Sequence, residues 1–399
     1  MRYKLKDYEQ FAGKGFTEKI HELAKPLEHK HIAHLNSTYY GGGVAEILNS
    51  LVMLLNDVGI ITGWRLIKGD KDFFDVTKQI HNALQGEHEH FSNSEKSIYI
   101  NTNHANSVFT HLDRHELVFV HDPQPLPMIH FYKKKCPWIW RCHIDISNPT
   151  HGIWSYLKKF VVKYDAAVFS VEKFKQKLPL PQHIIPPAID PLSSKNVDMK
   201  ESAINKQLKK FDIPTDKPII AQISRFDRWK DPWGVIDAYH LIKKKFDCRL
   251  VLLGAVASDD PEGDKIYEGI IEKAASNDNI HVISFQSDML VNALQRASSL
   301  IIQNSIREGF GLTVAEALWK GTPVLTRRVG GIPLQVKNGY NGYFATDLHD
   351  FSNKAVKLLK NKKLAKKMGA NGREHVRKNF LITRLLEDHL KLYKNVLKL

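Results

Sequence analysis

The chain has 399 residues, 43% of them hydrophobic and 25% charged, with a formal net charge of +15. That length exceeds what one hydrophobic core serves, so two domains are expected; the composition excludes a disordered chain, and no run of about 18 apolar residues offers a membrane span. Three cysteines, Cys136, Cys142 and Cys248, form no CxxC pair, which points to a reduced, cytoplasmic protein.

The N-terminal MRYKLKDYEQFAGKG lacks an apolar core and a small-residue cleavage site, so no secretory leader is expected. HIAHLNS (31–37) then reads as a strand, GVAEILNSLVMLLNDVG as a helix and ITGWRLI (61–67) as a second strand. Between the first strand and its helix, NSTYYGGGVAE (36–46) carries three glycines. It is not a GxGxxG fingerprint and lacks the lysine of a P-loop, so a phosphate cradle and a plain tight turn both remain open. GEHEH (86–90) and HLDRH (111–115) have metal-like spacing, but no second ligand cluster follows, and both read as polar surface loops. ELVFVHD (116–122) and PWIWRCHID (137–145) are strand-like and end in His121, Asp122, Arg141, His143 and Asp145. Polar groups in such apolar company cost free energy unless hydrogen-bonded or put to use, so satisfied core histidines are the alternative to site residues.

IIPPAIDPLSSKNVDMK (184–200) interrupts the alternation with three prolines and a serine pair. The expected division is 1–188, 189–381 and a closing amphipathic helix, 382–399, packing back on the first domain. In the second half PIIAQIS (218–224), CRLVLLG (248–254), NIHVISF (279–285), SLIIQNS (299–305) and TPVLTR (322–327) alternate with helical stretches. This βα alternation predicts an α/β protein: two doubly wound, Rossmann-like domains with parallel sheets and an interdomain cleft. Ligands in such folds gather beyond the carboxyl ends of strands, where each polar motif here lies. Lysines such as those of 353–367 sit on amphipathic helical stretches without interleaved aromatics, favouring solvated faces over a nucleic-acid surface.

SRFDRWKD (224–231) follows a strand and spaces Arg225 and Lys230 five apart, so both cations can converge on one diphosphate or line an exposed basic loop. Asp259 and Asp260 of ASDDPEGD read as Asp-Pro turn chemistry before a Mg²⁺ contact. SIREGFGLTVAEALWKGTPV holds Glu308 and Glu316 about a glycine turn. Thr313 and Glu316 have capping-box spacing, a structural account of the second acid. Glu308 has no such account. Gly309 and Gly311 allow close backbone approach, and the amides of Gly311–Thr313 face outward at a positive helix end.

Together these motifs resemble the retaining glycosyltransferases of family 4, with GT-B architecture: an E-x7-E signature on Glu308 and Glu316, an Arg-x4-Lys clamp on Arg225 and Lys230, and a Gly-rich loop on Gly41–Gly43. HLNSTYYGGGVAEIL, FFDVTKQIHNALQG, VHDPQP and PWIWRCHID, with SRFDRWKD, DDPEG, QRAS and SIREGFGLTVAEALWKGTPV, add a likeness to the trehalose glycosyltransferring synthases within that family, over residues 34–324. The resemblance implies transfer of glucose from a nucleoside diphosphate to glucose, forming trehalose reversibly. It implies Arg225, Lys230, Glu308 and His143 as catalytic residues, with the cations on the diphosphate. Gly42, Gly43, Gly309, Phe310, Gly311, Leu312, Thr313 and Glu316 would bind the donor, Glu316 through the ribose. Asp122, Arg141, His81, Asn82 and Gln85 would bind the acceptor. No tightly bound cofactor or metal is implied, with Mg²⁺ an optional stimulant. The implied partners are NDP-glucose and glucose or trehalose, without nucleic acid or a membrane span and with homodimerisation left open. Arg228, Asp231 and Asp264 depart from the family pattern. A retaining trehalose phosphorylase and a transferase for another small acceptor, such as a glycerate, are the alternatives, and GFGLT after Glu308 favours the synthase. A sugar-nucleotide epimerase and a dinucleotide oxidoreductase lack their signatures.

Overall fold

The computed structural model describes residues 3–40, 42–254 and 263–399; Gly41, Asp259 and Asp260 lie outside the described residues. The chain divides into two compact units, the first comprising residues 1–188 with Ile382–Leu399 and the second Ile189–Leu381. Each is built on a six-stranded, all-parallel sheet.

The first sheet contains β1 (His31–Asn36), β2 (Ile61–Leu66), β3 (Leu117–His121), β4 (Trp138–Cys142), β5 (Ala166–Phe169) and β6 (Gln182–Ile184) in the order β2-β1-β3-β4-β5-β6. β3 and β4 are buried along their whole length, as continuous apolar runs covered on both faces should be. Paired residues of parallel strands share a face, so the registers His34↔Phe119 and His121↔Arg141 put these four side chains on one side. The opposite side, with Ala33, Val118, Val120, Trp138, Trp140 and Phe169, packs into one apolar cluster with the helix Lys71–Leu84.

The closing helix, Ile382–Leu397, belongs to the first unit and packs against the helices Phe16–Ala24 and Gly43–Asp57. Its apolar stripe, Leu385, Leu386, Leu390 and Tyr393, is fully buried. Burying each such side chain is worth on the order of 1.5–3 kcal/mol. Its Arg384 Nη2 donates to the carbonyls of Pro186 (2.7 Å) and Pro187 (3.0 Å).

The second sheet contains β7 (Ile219–Ile223), β8 (Arg249–Gly254), β9 (Ile280–Ser284), β10 (Leu300–Gln303), β11 (Val324–Thr326) and β12 (Gly342–Phe344), ordered β12-β11-β10-β7-β8-β9. Residues 190–198 are not a free linker. Asn196 receives Trp319 Nε1 on its carbonyl (3.3 Å) and Lys320 Nζ on its side chain (2.7 Å), and Asn292 Nδ2 donates to the carbonyls of Ser194 and Val197. Pro191 and the serine pair of the expected boundary stretch are therefore part of the second unit.

Both sheets reverse their winding once. In the first, the chain leaves β1 for β2 on one side and reaches β3 on the other; in the second, β7 leads to β8 and β9 on one side while β10 to β12 fill the other. Such reversal points open a crevice beyond the strand ends because consecutive connections diverge there. The carboxyl ends of β1 and β3, and of β7 and β10, are therefore where a site is expected. β5, β6 and β12, only four, three and three residues long, were not anticipated from sequence.

Candidate active site

In the second unit the loop after β7 and the loop after β10 meet at the reversal point. Lys230 Nζ lies 2.7 Å from Glu308 Oε2, with side-chain exposures of 17% and 9%. Ser305 Oγ donates to the same carboxylate oxygen at 3.1 Å, and Gln303 Nε2 donates to Ser305 Oγ at 2.9 Å. The Lys230 carbonyl accepts from Gln222 Nε2 at 2.8 Å, and the Trp229 carbonyl accepts the Ile306 amide at 2.8 Å. The two loops are thus joined through backbone and side chain. Arg225 Nη2 lies 3.5 Å from Asp227 Oδ2, while Asp227 Oδ1 accepts the Trp229 amide.

Asp231 sits in the left-handed region at φ 48° and caps the helix Pro232–Lys243 by accepting the Gly234 amide at 3.1 Å. Its other oxygen accepts Asn304 Nδ2 at 2.7 Å and lies 3.4 Å from Arg327 Nη2. Burial, the foremost influence, raises its pKa, against the lowering effects of the Gly234 amide and Arg327. Neither Asn304 nor Arg327 was singled out in the sequence. Their signal is only positional, since each lies at a strand end beside the reversal point.

The helix Leu312–Trp319 begins at Gly311, which is left-handed at φ 83° and provides no side-chain cap. The capping-box reading of Thr313 and Glu316 therefore fails. Thr313 is the second helical residue and Glu316 the fifth, too deep to bond back to an N-cap amide. Glu316 is instead 3% exposed, 3.4 Å from Gln295 Nε2 and 3.9 Å from Lys195 Nζ. Phe310 is buried, with its carbonyl accepting from Gln335 Nε2, and Gly309's carbonyl accepts the Gly331 amide at 3.0 Å. The first turn of the helix, Gly311 to Thr313, keeps amides available for an oxygen-rich ligand.

In the first unit, Gly42 is the extended N-cap of the helix Gly43–Asp57, again without a side-chain cap. At the end of β3, Asp122 adopts φ 63°, accepts the His143 amide on Oδ1 at 2.7 Å, and receives Trp140 Nε1 on its carbonyl at 3.0 Å. His143 Nε2 lies 3.1 Å from His121 Nδ1. Burial, and then the charge of Arg141, hold the His143 pKa well below the usual imidazole range.

Three residues assigned to the acceptor by resemblance are not laid open. Arg141 is 1% exposed; it shares the His121 face of the sheet, and its Nη2 donates to the Ile185 carbonyl at 2.9 Å. Desolvation lowers its pKa to about 10, so it remains a buried cation. Asn82 and Gln85 are 2% and 5% exposed near the end of the helix Lys71–Leu84, whose Ala83 carbonyl accepts the Thr150 amide at 2.9 Å. That Ala83–Thr150 bond ties the helix to the segment after β4, which also holds Asp145; His81 is half-buried on the same helix. Among the described residues, no group of three or more His, Cys, Asp or Glu side chains is arranged to hold a metal ion, and no helix is long and apolar enough to cross a membrane.

Comparison with known proteins bears on this arrangement. Residues 34–176 match the family described as trehalose synthase, N-terminal domain, and residues 203–375 match glycosyl transferases group 1. A trehalose synthase of Pyrococcus horikoshii is 45% identical over 98% of this chain and 96% of its own. A trehalose phosphorylase of Pleurotus pulmonarius is 28% identical over 93% of this chain and 58% of its own. Among solved structures, the α,α-trehalose 6-phosphate synthase of Burkholderia multivorans aligns with a TM-score of 0.73 at 14% identity, covering 92% of this chain and 98% of that one.

Proposed function

Since the chain belongs to the trehalose synthase family and is a GT-B glycosyltransferase of trehalose chemistry, we propose that it moves glucose from an NDP-glucose to free glucose with retention of anomeric configuration. The observation that supports this most is the Lys230–Glu308 pair at the reversal point of the second sheet. An ammonium has three hydrogens. One is directed to Glu308, and the others are available to the phosphate oxygens of a donor, where Arg225 supplies a second cation from the same loop.

Departure of the diphosphate builds negative charge on its oxygens. Lys230, Arg225 and the helix amides at Gly311–Thr313 stabilise that charge; removing one such donor typically costs about 10²–10³ in rate. Glu308 accepts from glucose hydroxyls and Glu316 from the ribose. In the first unit Gly42 and Gly43 open an uncapped helix N-terminus suited to anionic oxygens, and His143, beside Asp122, is assigned to a sugar. Retention follows if the acceptor hydroxyl attacks the face from which the diphosphate leaves, giving its proton to a departing phosphate oxygen. No protein nucleophile is then required.

The likeness to a trehalose phosphorylase favours one second reading, in which inorganic phosphate replaces the nucleotide. A mixed-substrate assay separates the two. Purified protein is given ADP- or UDP-glucose with glucose or a glycerate, and separately trehalose with NDP or phosphate. Trehalose formed from a nucleotide sugar and glucose supports the synthase, and trehalose turnover with phosphate alone overturns it. NMR of the product anomeric protons reports the stereochemistry.

A further inference from the structure

Beneath the closing helix, four side chains form one hydrogen-bonded file. The Tyr393 hydroxyl lies 3.0 Å from His34 Nε2, His34 Nδ1 lies 2.9 Å from His121 Nε2, and His121 Nδ1 lies 3.1 Å from His143 Nε2. Tyr393, His34 and His121 are at most 2% exposed, while His143 is only half-buried. The file therefore runs from a sealed end on the C-terminal helix to an open end at the strand terminus where the acceptor site is proposed.

The protons of this file can be counted. Burial lowers the His34 pKa to about 3 and drives those of His121 and His143 well below the usual range, so each imidazole is neutral and carries one proton. The buried Arg141 cation reinforces this for all three. Three neutral rings and one hydroxyl bring four protons to three links, so one proton must point out of an end. A neutral imidazole has one donor and one acceptor nitrogen, which leaves only two orders, donation running inward from Tyr393 or outward to it. In the second order the buried tyrosine proton has no acceptor, because His34 is the only hydrogen-bond partner of that hydroxyl among the described residues. Leaving a buried donor unmade costs about 1–3 kcal/mol, which decides the order.

We propose that Tyr393, acting through His34 and His121, is a positioning residue that fixes His143 in its Nδ1–H tautomer, so that His143 offers a hydrogen-bond donor, and not a base, to an oxygen of the bound sugar. The sugar as recipient rests on the function proposed above; the tautomer does not.

The test is imidazole ¹⁵N–¹H correlation NMR on the full-length protein labelled at histidine, at neutral pH, with the His143→Gln variant assigning the resonance. The wild type should show His143 protonated on Nδ1. Tyr393→Phe keeps the ring and removes the proton that sets the order, so the Nε2–H form of His143 should appear. The same variant should lower kcat/KM for transfer by about tenfold, the worth of one ordinary hydrogen bond. His143 protonated on Nε2 in the wild type overturns the proposal, whatever the variant does. So does a Tyr393→Phe protein with an unchanged His143 tautomer. As the tautomer is read without substrate, an error in the assigned reaction leaves that measurement intact.

Discussion

Lys230 and Glu308 are 78 residues apart in sequence, yet their charged ends sit 2.7 Å apart, because β7 and β10 are neighbours at the point where the second sheet reverses its winding. One contact thereby joins the cation of the proposed diphosphate clamp to the acid of the glycine turn. Replacing Lys230 with Ala, or Glu308 with Gln, should lower kcat by about 10²–10³. Steady-state kinetics measures it, with far-UV circular dichroism confirming the fold. Wild-type turnover in both variants would remove the pair from the mechanism.

Asp231 holds a left-handed backbone at φ 48° while its carboxylate caps a helix and grips Asn304. Ala in that conformation keeps the backbone strain and loses the cap, costing about 1–2 kcal/mol. Gly relaxes the strain and makes a tolerable N-cap, so Asp231→Gly should be the milder variant, although it contributes no side chain to Asn304 or Arg327. Urea unfolding of both variants checks the ranking, and the reverse order would refute it.

Gly330, left-handed at φ 54°, lies so close to the Glu308 backbone that an added Cβ would run into its carbonyl and come within 3.1 Å of its Cβ. The contact is backbone, which cannot swing aside. Gly330→Ala should cost about 2–5 kcal/mol from left-handed strain and overpacking together, and displace Glu308. Differential scanning calorimetry and kcat should fall together. A variant as stable and active as the parent would show that the turn can move.

Stability should decline as pH falls from 7 to 5. His34, His121, His143 and His389 are buried with folded pKa values below those of the unfolded chain, first by desolvation. A depressed histidine pKa means that the unfolded state binds more protons. The stability is fully present above about pH 6.5 and is lost below it, by up to about 1.4 kcal/mol per pH unit for each proton. His389 donates through Nδ1 to the Leu385 carbonyl and has no partner at Nε2 among the described residues, so His389→Leu should reduce the slope by one proton. Urea midpoints independent of pH in this window would contradict the assignment.

The strand–helix alternation was legible because buried parallel strands such as LVFVH and WIWRC are apolar without interruption, and glycine or polar loops mark their ends. β5, β6 and β12 were not, since three or four residues carry too little pattern. Glu308 and Lys230 stood out as polar residues at strand ends. The capping-box alternative for Glu316 failed because it read local spacing where Gly311 had already started the helix. Arg141 was picked out as polar, but its position beneath the closing helix depends on strand register, which no local window contains. The histidine file was illegible for the same reason, since its two ends, Tyr393 and His143, come from opposite ends of the chain and meet only after the sheet is assembled.

The place of Ile382–Leu397 in the first unit sets an order on biosynthesis. A ribosome delivers the six strands of that unit long before their lid, and the whole of Ile189–Leu381 emerges in between. Until Ile382–Leu397 emerges, the histidine-bearing side of the first sheet lacks Leu385, Leu386, Leu390 and Tyr393, while the second unit has all of its own strands and can mature alone. The unit made first is thus finished last, and a nonsense codon between Ile382 and Leu397 would cripple the unit whose strands were encoded farthest upstream.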